Sequence, residues 1–266
     1  MTKKIGFIGV GNMGSAIIKG LVSRDYIELH GVDTHKENLT KLNKEYGLIA
    51  HESATDLTKA CDYIVVAVKP QQAEHIVKEI ANELTKSKCL ISICAGITQD
   101  TFSDWIEGLC PVVRVMPNTP ALVGKGVSAV CLEDKKLSDD MKAFVPAVFE
   151  GIGQVHILPE KMFDAFTAVI GSGPAYVFYF MEAMIESGVS LGLTRPQVTE
   201  MVKGLFLGVA NMADQSDLSI TGMREMSISP AGTTISALVH FDRQAIRGDI
   251  IDGIFEAYQR SIELGE

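Results

Sequence analysis

Over the first half of the chain, short apolar runs alternate with amphipathic stretches, and this alternation restricts the fold more than any other feature of the sequence. The runs cover residues 5–8, 29–32, 63–68, 90–94 and 112–116 and are rich in Ile, Leu and Val. Continuous apolar runs of that length suit parallel strands covered on both faces. The stretches between them, such as 13–23, 36–46 and 72–84, have helical periodicity. In the last of these Ala73, Ile76, Val77, Ile80, Ala81 and Leu84 make the stripe of a helix lying on a sheet. Strand, helix, strand repeated in this way predicts an α/β fold with a doubly wound, Rossmann-like sheet and right-handed crossovers.

Near residues 154–158 the pattern changes, and beyond Pro159 only helical periodicity remains. Thr194 followed by Arg195, Pro196 and Gln197 predicts a capping box opening a helix that carries Val198, Met201, Val202, Leu205, Phe206, Val209 and Met212 on its apolar positions. Another helix is expected over about 243–263. The boundary therefore falls at about 158, with a dinucleotide-binding domain over 1–158 and an all-helical substrate and dimerisation domain over 159–266. Apolar positions spread more than half-way round several of these helices. A small helical domain cannot hide that much apolar surface within itself, so a homodimer built through this half is expected.

The formal net charge is −9, from 24 Lys and Arg against 33 Asp and Glu, with no block of either sign. Broad phosphate-backbone contact needs a concentrated positive face, so nucleic acid is not an expected partner. Cys61, Cys89, Cys94, Cys110 and Cys131 are odd in number and contain no Cys-x-x-Cys pair. They read as reduced thiols of a cytoplasmic protein, and no metal site is expected. Residues 1–8 are too short an apolar start for a signal peptide. The longest uncharged stretch, 165–181, is expected to fall short of a membrane span, with Gly171, Gly173 and Pro174 interrupting any helix there.

Gly9, Val10, Gly11, Asn12, Met13 and Gly14 follow the first strand and open the first helix. A Gly-x-Gly-x-x-Gly string is weak by itself; its position between strand and helix makes it specific. Gly9 permits the turn, Gly11 lets a pyrophosphate approach the backbone, and Gly14 lets helix and strand pack closely. Asp33, 19 residues after Gly14, stands at the end of the second strand, where a carboxylate can bind the adenosine ribose hydroxyls of NAD. Thr34, His35 and Lys36 follow it and offer groups for the extra phosphate of NADP, so this choice stays open.

Five further blocks end strands or begin helices. They are Val68-Lys69-Pro70-Gln71, Cys94-Ala95-Gly96, Met116-Pro117-Asn118-Thr119-Pro120, Gly171-Ser172-Gly173-Pro174-Ala175-Tyr176 and Ser229-Pro230-Ala231-Gly232-Thr233-Thr234. With the glycine loop they resemble, over essentially the full chain, the pyrroline-5-carboxylate reductase family, which performs the last step of proline biosynthesis. The resemblance implies hydride transfer from NADPH, or alternatively NADH, to the cyclic imine of 1-pyrroline-5-carboxylate, giving L-proline. It further implies that Ser229, Gly232, Thr233 and Thr234 bind the substrate carboxylate. A turn leading into a helix suits such an anion.

By the same mapping Thr234 meets the ring nitrogen as proton donor or orienter, and Glu160 is a second catalytic candidate facing that nitrogen. Val68, Lys69, Pro70, Ala95 and Asn118 fall to the cofactor. Two departures stand out: Ala231 replaces a common Gly, and Asp33 replaces a frequent Ser, Asn or Arg. The competing readings are another β-hydroxyacid-dehydrogenase-like oxidoreductase, for which Lys203 is the available lysine, and a nucleotide-sensing scaffold that shares only the first domain. Dimers assembling into a larger homo-oligomer are also compatible with the sequence.

Overall fold

The computed structural model describes residues 2–265. Eight strands form one sheet: β1 (Lys3–Ile8), β2 (Ile27–Val32), β3 (Ile49–Ala50), β4 (Tyr63–Val66), β5 (Cys89–Ser92), β6 (Val112–Met116), β7 (Gly126–Cys131) and β8 (Gly153–Ile157). Their order is β3-β2-β1-β4-β5-β6-β7-β8, and every pair is parallel except β6 with β7. Only residues 117–125 join β6 to β7, too few for the helical crossover that parallel pairing requires. The chain therefore folds back antiparallel there, through a 3-10 turn at Thr119–Val123.

Helices cover both faces. On one side α1 (Asn12–Leu21), α2 (Lys36–Tyr46) and α6 (Asp139–Glu150) pack on Phe7, Val65 and Val113. On the other α3 (Ala54–Ala60), α4 (Pro70–Ile80) and α5 (Gln99–Trp105) pack on Ile64, Val66 and Leu90. All four residues of β4 and of β5 are buried, as a strand covered on both faces requires. The expected strand 63–68 ends at Val66, because Pro70 opens α4 from its first turn. Three strands carry no clear sequence signal: β3 is two residues long, while β7 and β8 mix Gly, Ser, Gln and His with their apolar residues.

After β8 come α7 (Phe163–Phe166), a π-helical turn at Thr167–Gly171, α8 (Gly173–Ser190), α9 (Arg195–Asp214), α10 (Ile220–Met226), α11 (Thr233–Arg243) and α12 (Ile246–Gly265). The expected interruption by Gly171, Gly173 and Pro174 is corrected here. Gly171 ends the π-turn and Pro174 sits in the first turn of α8, where its missing N–H costs nothing. The result is one helical run, Glu160–Ser190, long and apolar enough by length and composition to cross a membrane. The capping box at Thr194 is also modified. Its hydroxyl donates to the Gln197 side chain at 2.6 Å instead of accepting from the α9 backbone.

Contacts divide the chain into two compact units, one through Ser172 that also takes up the chain from Tyr258, the other Gly173–Ala257. The sequence boundary at 158 marks the end of the sheet, whereas the compact division falls after the π-turn. In the first unit α7 closes over β7 through Phe163 and Phe166, and Ser261 near the end of α12 donates to Asp164 at 2.7 Å. In the second unit α8 and α9 pack together, with Val198, Val202 and Met223 buried.

Candidate functional site

In the first unit the strand order reverses about β1, with β2 on one side and β4 on the other, and ligands of doubly wound sheets bind at that switch point. Gly9 leaves β1 with φ +94°, a left-handed conformation that favours glycine, and a Cβ there would lie 2.6 Å from the Ala67 carbonyl oxygen. A Cβ at Gly14 would meet the Gly9 carbonyl oxygen at 2.4 Å, so strand and helix approach as closely as the motif predicts.

Gly11 is different. Its φ of −66° and ψ of −161° suit any residue, and a Cβ there would meet no atom within 4 Å. Neither backbone nor packing calls for glycine at 11, so the bare Cα leaves room for something from outside the chain. No side chain caps α1, and its first-turn amides, from Asn12, Met13 and Gly14, remain for an anion. Asn12 is exposed, while Met13 is half-buried against the core. These residues fit a dinucleotide pyrophosphate.

Two expected cofactor contacts have other partners. The Val10 side chain is buried and its N–H donates to Asp33 Oδ2 at 2.7 Å, so Val10 supports the loop and its amide does not face a phosphate. Asp33 Oδ1 accepts from the His35 N–H at 2.8 Å. Burial opposes ionisation of Asp33, but the amide hydrogen bonds from His35 and Val10 together outweigh it and hold the carboxyl below its ordinary value. Thr34 is exposed with its hydroxyl 3.3 Å from the His35 ring, and Lys36 opens α2 with its ammonium 3.0 Å from Glu52.

Val68, Lys69 and Pro70 follow β4 on the same edge of the sheet, with Lys69 exposed as the N-cap residue of α4. The Val68 carbonyl accepts from the Cys94 thiol at 3.4 Å. Ala95 is exposed in the turn after β5. Asn118 is buried, accepting from the Val127 N–H at 2.9 Å and donating to the Ile170 carbonyl at 3.2 Å. Its side chain ties β7 to the π-turn.

Glu160 also has partners within the first unit: Oε1 accepts from the Gln99 N–H at 2.7 Å and from Arg114 at 3.1 Å. The Arg114 side chain is only 7% exposed and lies 4.9 Å over the Phe163 ring. Glu160 thus caps α5 and neutralises a buried guanidinium on β6, which is an anchoring role. Sequence reading missed Arg114 because a lone Arg in an apolar run carries no motif; its place mid-strand was the available signal.

In the second unit Gly232 is the N-cap residue of α11, with no side-chain cap, and Thr233 and Thr234 open the helix exposed. The Gly232 N–H donates to the Ser229 carbonyl at 3.1 Å, closing the turn. A Cβ at 232 would lie 2.3 Å from the Ser229 hydroxyl, so glycine lets that hydroxyl tuck under the helix start. Ala231 sits at φ +56°, a left-handed conformation that a methyl group strains. The turn offers free first-turn amides and two threonine hydroxyls, a set suited to a small carboxylate.

Other nucleophiles fall away. The five thiols are free and buried; burial pushes Cys94 up to about 11 and Cys61, Cys110 and Cys131 to about 12, and Cys89 also rises, so none is a thiolate near neutrality. Lys203 pairs with Glu200 at 2.8 Å on the surface of α9, a place without carbonyl chemistry.

Both halves of the chain match known proteins. Residues 4–96 match the family model described as NADP oxidoreductase, coenzyme F420-dependent, and residues 160–264 match that of pyrroline-5-carboxylate reductase dimerisation. The chain therefore carries a dimerisation domain of that family. It is 32% identical to the pyrroline-5-carboxylate reductase of Methanosarcina acetivorans, covering 99% of this chain and 98% of that one. The same identity holds for the Escherichia coli enzyme over the whole of both chains. The crystal structure of the Plasmodium falciparum pyrroline carboxylate reductase with NADP bound superposes with a TM-score of 0.88 at 32% identity, covering 99% and 98% of the two chains. Agreement over the full length, in the sheet and in the helices alike, establishes that this oxidoreductase belongs to the pyrroline-5-carboxylate reductase family.

Proposed function

We propose that this chain reduces 1-pyrroline-5-carboxylate to L-proline with NAD(P)H. The observation that carries the reading is Gly11, a glycine explained by no demand of the chain itself, at the switch point of the sheet. When bound, the reduced nicotinamide supplies a hydride to the carbon of the C=N bond. The chain's own part is positioning. Gly9, Gly11, Asn12, Met13 and Gly14 hold the pyrophosphate, and Lys69, Pro70 and Ala95 line the same edge. Ser229, Gly232, Thr233 and Thr234 hold the substrate carboxylate, and the Thr234 hydroxyl orients the ring nitrogen. An iminium accepts hydride readily, so orientation and electrostatics suffice without a histidine or lysine acid.

Residues 1–158 act as the dinucleotide-binding domain and 159–266 as the substrate and dimerisation domain of a homodimer, with dimers able to assemble further. The exposed apolar side chains of the second unit support that assembly: Phe178 is 65% exposed and Leu207 likewise. Five buried free thiols suit a reducing compartment, which supports the cytoplasm as the location of the enzyme.

The test follows the loss of near-ultraviolet absorbance of NADPH and of NADH with pyrroline-5-carboxylate present. Oxidation that depends on the imine supports the reading; no oxidation of either coenzyme overturns it. Thr234→Ala should lower turnover about tenfold to a hundredfold, the worth of one well-placed hydrogen bond in the transition state, while Thr234→Ser keeps most of it. Unchanged turnover in Thr234→Ala would remove that hydroxyl from the reaction.

A further inference from the structure

The chain leaves the first unit after Ser172 and returns to it at Tyr258. Both of the segments that make this passage dock on the same place, the connection at 93–98 between β5 and α5. From the outgoing segment, Glu160 Oε1 accepts from the Gln99 N–H at 2.7 Å, where α5 starts. From the returning segment, the last turn of α12 meets Gly96. That residue has φ +79°, and a Cβ on it would lie 3.0 Å from the Leu264 carbonyl oxygen. A Cβ on Gly265 would in turn lie 3.0 Å from the Gly96 carbonyl oxygen. Glycine on both sides thus lets two stretches of backbone touch that are distant in sequence.

The two segments are also fastened to each other. Ser261, 7% exposed, donates to Asp164 Oδ1 on α7 at 2.7 Å. The Leu264 side chain is 62% exposed, so apolar burial does not anchor the end of α12; the backbone contact and the Ser261 hydrogen bond do.

What they hold lies on the coenzyme edge of the sheet. β5 pairs with β4, which pairs with β1, all parallel, so the turn at Ala95–Gly96 shares its edge with the glycine loop and with Val68–Pro70. The Ile93 N–H donates to the Val66 carbonyl at 3.2 Å and the Cys94 thiol to the Val68 carbonyl at 3.4 Å, which ties the end of β5 to the loop after β4.

We propose that the end of α12, through Ser261 and the Leu264–Gly265 backbone, is a positioning element of the reaction. It fixes the Ala95–Gly96 turn and with it the nicotinamide end of the coenzyme, while the glycine loop sets dinucleotide affinity. This rests on the reading that the coenzyme lies along that edge. Hydride transfer is sensitive to such placement, since a misplacement of about 1 Å costs about a hundredfold in rate. A turn that is loosened without being removed should cost about tenfold.

The experiment compares the full-length protein with a chain ending at Glu263, with Asp164→Ala and with Asp164→Asn. Each is followed by imine-dependent NADPH oxidation, by calorimetric titration with NADP+ and by the emission of bound NADPH, which reports the surroundings of the nicotinamide. The chain ending at Glu263 and Asp164→Ala should each lose about tenfold in kcat while NADP+ affinity holds, and the emission of bound NADPH should change. Asp164→Asn keeps Oδ1 as an acceptor for Ser261 and should keep most of the turnover. If Asp164→Ala fails to fold, the chain ending at Glu263 and Asp164→Asn still decide the matter. Unchanged turnover and emission in the chain ending at Glu263 would overturn the proposal. A fall in kcat and NADP+ affinity together, with Asp164→Asn as impaired as the shortened chain, would make the segment a structural support only and overturn it as well. If the unaltered protein binds NADP+ but oxidises NADPH with no dependence on the imine, the proposed function fails, and the emission of bound NADPH in the shortened chain alone decides this inference.

Discussion

The two compact units treat apolar residues in opposite ways. On α4, in the first unit, Ala73, Val77 and Ile80 are wholly buried against the sheet. On α8, in the second, Phe178 is 65% and Tyr179 76% exposed, although that helix is the more apolar of the two. A sheet covered on both faces closes its own core. A few helices without a sheet leave most of their large side chains open, and each such side chain gains about 1.5 to 3 kcal/mol when covered. The first unit is therefore complete alone, and the second is completed by a second copy of the chain.

The largest effect expected within the first unit is that of Glu160→Ala. It leaves the Arg114 guanidinium buried and unpaired, at a cost of about 3 to 5 kcal/mol, and thermal unfolding should show this independently of protein concentration. An unchanged melting temperature would mean that the pair does not support the sheet.

Phe178→Asp tests the other side of the comparison. A charge on that face should cost about 2 to 4 kcal/mol of association, giving a monomer by sedimentation whose melting temperature no longer depends on concentration. Dinucleotide binding by the first unit should survive. A dimer unaffected by Asp at 178 would move the interface elsewhere.

Within the glycine loop two substitutions separate folding from binding. Gly9→Ala forces a methyl group into a left-handed residue 2.6 Å from a carbonyl oxygen, costing about 2 to 3 kcal/mol of stability. Gly11→Ala meets no atom of the protein, so the melting temperature should hold while NAD(H) affinity falls in a titration. Equal loss of stability in both variants would contradict the open space at Gly11. The smallest effect belongs to the second unit: Ala231→Gly relieves a left-handed alanine and should raise stability by up to about 1 kcal/mol in denaturant unfolding.

The doubly wound sheet, the glycine loop and the helical second half were legible because each depends on local rules. Strand runs are mostly apolar, Gly9 and Gly14 stand where backbone angle and contact demand them, and helical periodicity after Pro159 is unbroken by strand signals. The antiparallel β7 was less legible. Its direction depends on the length of the connection from β6 and on the neighbours available to pair, which periodicity does not encode.

Site residues divide along the same line. The sequence by itself determined that a dinucleotide loop, a turn rich in threonine hydroxyls and an apolar helical half occur in one chain, since backbone geometry and periodicity are properties of neighbouring residues. Only the tertiary structure decided the occupations of Glu160, Asn118, Val10 and Asp33. Their polar groups meet Arg114, Val127, the glycine loop and the start of α2, partners 46 residues away for Glu160 with Arg114 and 23 for Val10 with Asp33. A polar group taken out of water takes whatever donor the packed chain brings to it, and which donor that is depends on three-dimensional contact between residues distant in sequence.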